Sequence, residues 1–221
     1  MINVPKLIDH TLLRPDATPA DVLHLCDEAK KYGFFAVCVH PCFTGMTKEA
    51  LKGTQVRIAT VIGFPHGMTL PGVKIYEAMQ AVLKGADELD IVINTGLAKS
   101  GDWKAVAKEI SDIVTATPAV LHKIIIETCY LTDDEKQKAC EAAIEAGAAF
   151  IKTSTGFGPS GAVIRDVELI KAVTKGKVGV KAAGGIKTLA QVKSFIEAGA
   201  TRIGTSSGVA IMKEAQDQLV P

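Results

Sequence analysis

Paired cysteines, clustered histidines, long apolar runs and an excess of either charge are all missing from this sequence of 221 residues. Cys26, Cys38, Cys42, Cys129 and Cys140 are odd in number and include no CxxC pair, so they outline neither a disulfide framework nor a zinc ribbon. Cys38 and Cys42 lie close together, but no second close pair completes a metal site. The expectation is reduced thiols packed as small hydrophobes. His10, His24, His40, His66 and His122 are dispersed without HxxxH or HxH spacing, and neither a metal nor any other cofactor is expected. His24 falls in an amphipathic helix and Trp103 just after a probable cap, places that suit surface or packing roles.

Lys plus Arg number 25 against 24 for Asp plus Glu, a net charge of +1 that lacks the basic excess of a nucleic-acid or membrane-surface binder. No apolar run is long enough to cross a bilayer. The stretch Met1 to Leu13 is interrupted by Lys6 and Asp9, so no signal peptide is expected there and the reading is cytoplasmic.

What is present is a repeated phrase: amphipathic helix, glycine, short apolar strand, polar glycine-rich turn. It occurs around Gly33, Gly85, Gly147 and Gly199. Glycine just past a helix supplies the left-handed conformation that turns the chain into the next strand. Thr18, Thr132 and Thr188 mark helix starts as N-caps. Eight strand candidates follow: Leu7–Asp9, Phe35–Val39, Val56–Ile62, Glu88–Ile93, Leu121–Glu127, Phe150–Thr153, Val178–Lys181 and Arg202–Gly204. Their separations of roughly 20 to 35 residues match one βα unit each, and most are continuous apolar runs, as for parallel strands covered on both faces. The fold class is therefore α/β, one (β/α)8 TIM barrel spanning residues 1–221. A doubly wound open sheet is disfavoured, because no GxGxxG follows the first full strand. The tail after Gly208 reads as a last helix, with Gln216–Pro221 as its frayed end.

In such a barrel the active site forms at the C-terminal ends of the strands. Lys152, in FIKTSTG, sits near the end of one strand candidate, and Lys181, in VGVKAAGG, occupies the matching place on the next. Desolvating an ammonium is costly, so one such lysine alone would suggest a buried ion pair. With two at the same height each ammonium disfavours the other, which favours a neutral amine, the form that attacks a carbonyl to make a Schiff base. Moving a lysine from about 10.4 to about 7–8 represents about 4 kcal/mol. Schiff-base chemistry also needs a proton shuttle. Asp90 interrupts an apolar strand and would need a cation nearby; Asp9 on the first strand and Glu127 at the end of the fifth are further candidates. A salt bridge organising the barrel is the alternative role for each.

Two turns point to phosphate: Ala183-Gly184-Gly185-Ile186 and Gly204-Thr205-Ser206-Ser207-Gly208. Glycines allow backbone N–H groups to approach an anion, hydroxyls and a helix start add donors, and barrel enzymes often bind phosphate after strands seven and eight. Cys38 and His40 end the second strand and are candidates to line the pocket, though no adjacent base marks Cys38 as a nucleophile.

The stretches LIDHTL (Leu7–Leu12), AVCVHP (Ala36–Pro41), RIATVIGFPHG (Arg57–Gly67), GADELDIVIN (Gly85–Asn94), IIIETC (Ile124–Cys129), FIKTSTG (Phe150–Gly156), VKAAGGI (Val180–Ile186) and RIGTSSG (Arg202–Gly208) together resemble the deoxyribose-phosphate aldolase family along nearly the whole chain. The resemblance implies reversible cleavage of 2-deoxy-D-ribose 5-phosphate to acetaldehyde and D-glyceraldehyde 3-phosphate, in deoxyribose phosphate catabolism. It implies the Schiff base at Lys152, a pKa-perturbing role for Lys181, and a proton relay in which Asp90 acts with Lys181 and an ordered water. It implies phosphate contacts at Gly184, Gly185, Ser206 and Ser207, with Gly156 nearby. Two positions depart from the family's pattern. Phe157 stands where some members carry a phosphate-holding lysine, and the chain ends Asp217-Gln218-Leu219-Val220-Pro221 without the tyrosine that closes over the site in some members.

The expected partners are a small phosphorylated sugar and a short aldehyde, with a homodimer as the candidate assembly and neither nucleic acid nor membrane. Other readings on the same barrel are a metal-dependent aldolase, an isomerase, or a non-catalytic phosphosugar-binding protein. The last would keep the two glycine turns but would not need paired lysines.

Overall fold

The computed structural model describes residues 3–217. Eight parallel strands close into a barrel in chain order: β1 Ile8–Leu12, β2 Ala36–Val39, β3 Arg57–Ile62, β4 Glu88–Val92, β5 Leu121–Ile125, β6 Phe150–Lys152, β7 Gly179–Ala183 and β8 Arg202–Thr205. Each expected strand is present, with boundaries moved by one to three residues. The largest shift is at β1, which runs on to Leu12 because Thr11 and Leu12 pair with Cys38 and Val39 of β2. The helices are α1 Pro19–Tyr32, α2 Thr44–Ala50, α3 Pro71–Leu83, α4 Thr95–Lys99, α5 Trp103–Ala116, α6 Asp133–Glu145, α7 Ile164–Thr174, α8 Leu189–Ala198 and α9 Gly208–Asp217. Gln216 and Asp217 therefore lie in α9 rather than in a frayed end, while the expectation for Gln218–Pro221 lies outside the described residues.

Local chemistry explains the helix boundaries. Thr18, Thr132 and Thr188 each cap a helix through a reciprocal box, with Asp21, Glu135 and Gln191 returning a bond to the cap's own N–H. Gly33 ends α1 at φ 67°, the left-handed turn that leads into β2.

The strands alternate between two environments. Outward residues such as Val37, Leu89, Ile91, Ile124, Ile151, Val180 and Ile203 join the helices in one core. The inward positions carry more charge than Lys152, Lys181, Asp90 and Asp9 alone. On the β2–β3 side, Cys38, Ala59 and Val61 pack with Leu13 in a small apolar cluster. Elsewhere the interior holds Asp9, Glu88, Asp90, Lys123, Lys152, Lys181 and Arg202, all buried. A barrel filled mainly by branched apolar layers is the usual pattern. Here each burial of charge is tolerated because a counter-charge lies on an adjacent strand or across the interior. Among the described residues no helix is long and apolar enough to cross a membrane, and no group of His, Cys, Asp and Glu could hold a metal ion.

Candidate active site

Lys152 and Lys181 are direct register partners on β6 and β7, so the two side chains enter the barrel at one level. Asp90 lies between them. Its Oδ2 accepts from Lys152 Nζ at 2.8 Å and from Lys181 Nζ at 2.8 Å, while its Oδ1 accepts from Lys123 Nζ at 2.7 Å. Asp90 thus reaches both lysines from β4, across the barrel. Gly204 makes room for this arrangement: a Cβ there would stand 3.0 Å from Lys181 Cε and 3.0 Å from Ala183 Cβ.

Lys123, Arg202 and Glu88 complete the network and were not anticipated from the sequence. Asp9 accepts from Lys181 and, at 2.8 Å, from Arg202 Nη1. Glu88 receives Lys123 at 2.5 Å and Arg202 at 3.1 Å. The Arg202 guanidinium also lies over the Phe35 ring, 3.6 Å from its centroid. The alternation of Glu88 with Asp90 on β4 was the available signal for Glu88.

The network sets the protonation states of its members. Burial alone would raise the Asp9 carboxyl, but Lys181, Lys123 and Arg202 overcome it and hold the group at about 2. Asp90 is likewise held well below the carboxylate range, with Lys123, Lys152 and Lys181 outweighing burial. Lys181 loses to burial but gains more from Asp9 and Asp90, so its ammonium is stabilised above the ordinary lysine value. Asp90 as an anion and Lys181 as a cation are therefore fixed beside the Lys152 amine.

Four cations (Lys123, Lys152, Lys181 and Arg202) face three carboxylates (Asp9, Glu88 and Asp90), an excess of one positive charge when all are ionised. Lys152 makes an ion pair with Asp90 alone, whereas each of the other three cations pairs with at least two carboxylates.

Of these four cations, Lys152 is the one that lines a cavity of about 300 Å³ at the C-terminal mouth of the barrel. Gly156, Gly184, Gly185 and Ser206 line the same cavity. The structure thus gathers the lysine and the two glycine-rich turns around one space. Lys187 adds positive charge to its walls, Arg14 lies there paired with Asp16 and Asp21, and neither was singled out from the sequence. Ser207 stands one step back. Its N–H donates to Thr205 Oγ1 at 2.9 Å, and its carbonyl accepts from Ile211 N at the start of α9.

Of three further expected pocket residues, Cys38 and Asp9 lie in the interior and Glu127 lines a neighbouring cavity. Cys38 is fully buried in the apolar cluster beneath Leu13, and burial pushes its thiol up to about 11. It lines no part of this cavity. Asp9 is fully buried within the ion network. Glu127 does not join the lysine network; its carboxylate accepts from the Thr155 hydroxyl and, at 3.2 Å, from the Thr155 N–H, fixing the loop after β6. His40 also turns away from chemistry, its Nε2 bonding the Leu13 carbonyl at 2.9 Å.

Comparison with known proteins agrees with this geometry. Residues 4–214 match the DeoC/LacD family of aldolases. The deoxyribose-phosphate aldolase of Caldanaerobacter subterraneus subsp. tengcongensis is 49% identical over 221 residues, covering 99% of this chain and 96% of that protein. The deoxyribose-phosphate aldolase of Thermococcus gammatolerans is 53% identical over 220 residues, covering 98% of each. Among solved structures, the tetrameric deoxyribose phosphate aldolase of Aeropyrum pernix superposes with a TM-score of 0.91 at 34% identity, covering 97% of this chain and 92% of that one.

Proposed function

The chain belongs to the DeoC/LacD family of aldolases, and from that premise we propose that it cleaves 2-deoxy-D-ribose 5-phosphate reversibly through a Schiff base on Lys152. The observation that carries the proposal is the placement of Lys152: inside the barrel, 2.8 Å from Asp90, and at the wall of the cavity that both glycine turns share. Relatives about half identical over nearly their full lengths bear the name deoxyribose-phosphate aldolase, which supports the substrate.

In this reading the Lys152 amine adds to the C1 carbonyl of the open-chain sugar, and loss of water gives an iminium. The positive nitrogen draws electrons as the C2–C3 bond breaks and the C3 hydroxyl gives up its proton. D-Glyceraldehyde 3-phosphate departs, leaving the enamine of acetaldehyde. Protonation of the enamine carbon and hydrolysis release acetaldehyde and restore the amine. Asp90 and Lys181 supply the acid–base pair, since a carboxylate and an ammonium share one oxygen contact beside the reacting nitrogen. Gly184, Gly185 and Ser206 receive the phosphate, Gly156 borders it, and Ser207 supports the turn from behind. Lys187 provides cationic charge at the cavity wall that Phe157 does not.

The barrel over residues 1–221 is proposed as one catalytic domain. A homodimer and a cytoplasmic location belong to the same proposal. Leu70, Val73, Tyr76 and Leu83 leave an exposed apolar stripe along α3 suited to self-association, and all five cysteines are free. A coupled assay should detect acetaldehyde and D-glyceraldehyde 3-phosphate at a rate that excess chelator does not change. A chelator-sensitive rate would favour metal-dependent chemistry instead.

A further inference from the structure

Gly184 and Gly185, the turn that faces the cavity, cannot fix their own conformation. Both lie at positive φ, 92° and 79°, where glycine has several alternatives of similar energy, and neither has a side chain to anchor it. The order of this turn has to come from a neighbour.

That neighbour is the loop after β6. Next to Lys152, Thr153 stitches the start of the loop to β7: its hydroxyl donates to the Ala183 carbonyl at 3.2 Å and accepts from the Ala183 N–H at 3.2 Å. The loop then passes the cavity at Gly156 and Phe157 and returns at Gly161 and Ala162, behind the turn and outside the cavity wall. There the Ala162 N–H donates to the carbonyls of Ala183 and Gly184, each at 3.1 Å.

The contact at Gly161 is backbone on backbone. A Cβ on Gly161 would stand 2.2 Å from the Gly184 carbonyl oxygen and 2.4 Å from its carbon. Conversely, a Cβ on Gly184 would stand 2.9 Å from Gly161 Cα. No flexible side chain is involved that could swing aside. Gly161 is also outside the left-handed region, so close approach alone demands glycine there.

The bond to the Gly184 carbonyl bears on the anion. The Gly184–Gly185 peptide is trans, so its C=O and N–H point to opposite sides. With the C=O drawn toward Ala162, the Gly185 N–H faces away from the loop, on the side of the cavity that Gly185 lines. An N–H aimed before the anion arrives is what a backbone phosphate seat requires.

We propose that Gly161, together with the Ala162 N–H, is a positioning residue for the substrate's phosphate, clamping the Gly184–Gly185 peptide from behind so that its N–H meets the anion in fixed relation to Lys152. This rests on the reading of the glycine turns as the phosphate seat. Gly161 touches no reacting atom; its effect reaches the substrate through Gly184.

The test is steady-state kinetics of the full-length enzyme on 2-deoxy-D-ribose 5-phosphate and on unphosphorylated 2-deoxy-D-ribose. Gly161→Ala pushes the turn forward, whereas Ala162→Pro removes the donating N–H. Each should raise KM for the phosphorylated sugar about tenfold or more, the loss of one hydrogen bond to a charged group. Turnover of that sugar, and kcat/KM for deoxyribose, should stay within about twofold of wild type. Borohydride trapping of acetaldehyde on Lys152 should be unchanged, which also shows that each variant folds. Ser160→Ala, at an exposed position of the same loop, should alter none of these. The two variants act by different means, so one that fails to fold leaves the other to decide. Equal losses on both sugars, or an unchanged KM for the phosphorylated sugar, would overturn the proposal. Wild type using both sugars equally well would instead remove the phosphate reading itself, which keeps the two failures apart.

Discussion

Replacing Lys181 by leucine separates its electrostatic role from a purely structural one. In the folded protein Lys181 neutralises Asp9 and shares Asp90 Oδ2 with Lys152. Its removal leaves three cations and three carboxylates. Asp9 keeps Arg202 at 2.8 Å, and Asp90 keeps Lys123 at 2.7 Å and Lys152 at 2.8 Å. No carboxylate is stranded, so the loss of stability should fall below the roughly 3–5 kcal/mol of a broken buried pair. Chemistry should suffer more. The ammonium next to the reacting nitrogen disappears, and turnover at pH 7 should drop by about 10²–10⁴-fold. Lys152 also gains sole claim on Asp90 Oδ2 and no longer faces a second ammonium. Borohydride trapping with acetaldehyde should therefore survive but move to higher pH. The assay is the pH profile of trapping and of turnover for both proteins, after thermal unfolding confirms that the variant folds. A trapping profile that does not move would refute the idea that Lys181 tunes Lys152.

Ser206→Asp places a carboxylate in the cavity shared by the glycine turns, so kcat/KM for deoxyribose 5-phosphate should fall sharply while that for unphosphorylated deoxyribose changes far less. Equal losses on both sugars would mean that phosphate binds elsewhere. Acid should unfold the protein through its ion network. Asp9 is held at about 2 against an ordinary 3.8, so it contributes roughly 2 kcal/mol above the unfolded value, lost as pH falls from about 4 toward 2. Asp90 acts in the same direction. Denaturant titrations at pH 7, 4 and 2.5 should show that decline, and an unchanged stability at pH 2.5 would contradict the network.

The barrel was legible because four βα units repeat a glycine before the strand and three helices open on a capping threonine. Lys152 and Lys181 were legible as a pair, since equivalent places on adjacent strands become register partners when the strands run parallel. Their dependence on Asp90 was only partly so. A carboxylate on β4 meets lysines on β6 and β7 across the interior, and sequence spacing does not encode that distance. Lys123 and Arg202 were hidden for a related reason: Arg202 looks like the first residue of a strand, and Lys123 sits beside the longer run of isoleucines. Glu127 was legible as a residue at the barrel mouth, where it lines a neighbouring cavity. Its place at a strand end suggested a shuttle, but a left-handed backbone with φ 50° turns the chain there, and its carboxylate binds the loop after β6. Cys38 was placed on the correct strand, but the small residues around it close over the thiol.

The central claim is a covalent bond at Lys152, and mass spectrometry of the protein reduced with borohydride in the presence of acetaldehyde tests it most directly. The account predicts one added ethyl group, located on Lys152 after proteolysis, with activity lost in proportion to labelling. Ethylation confined to surface lysines with activity intact would contradict it, as would a single label on Lys181 or Lys123.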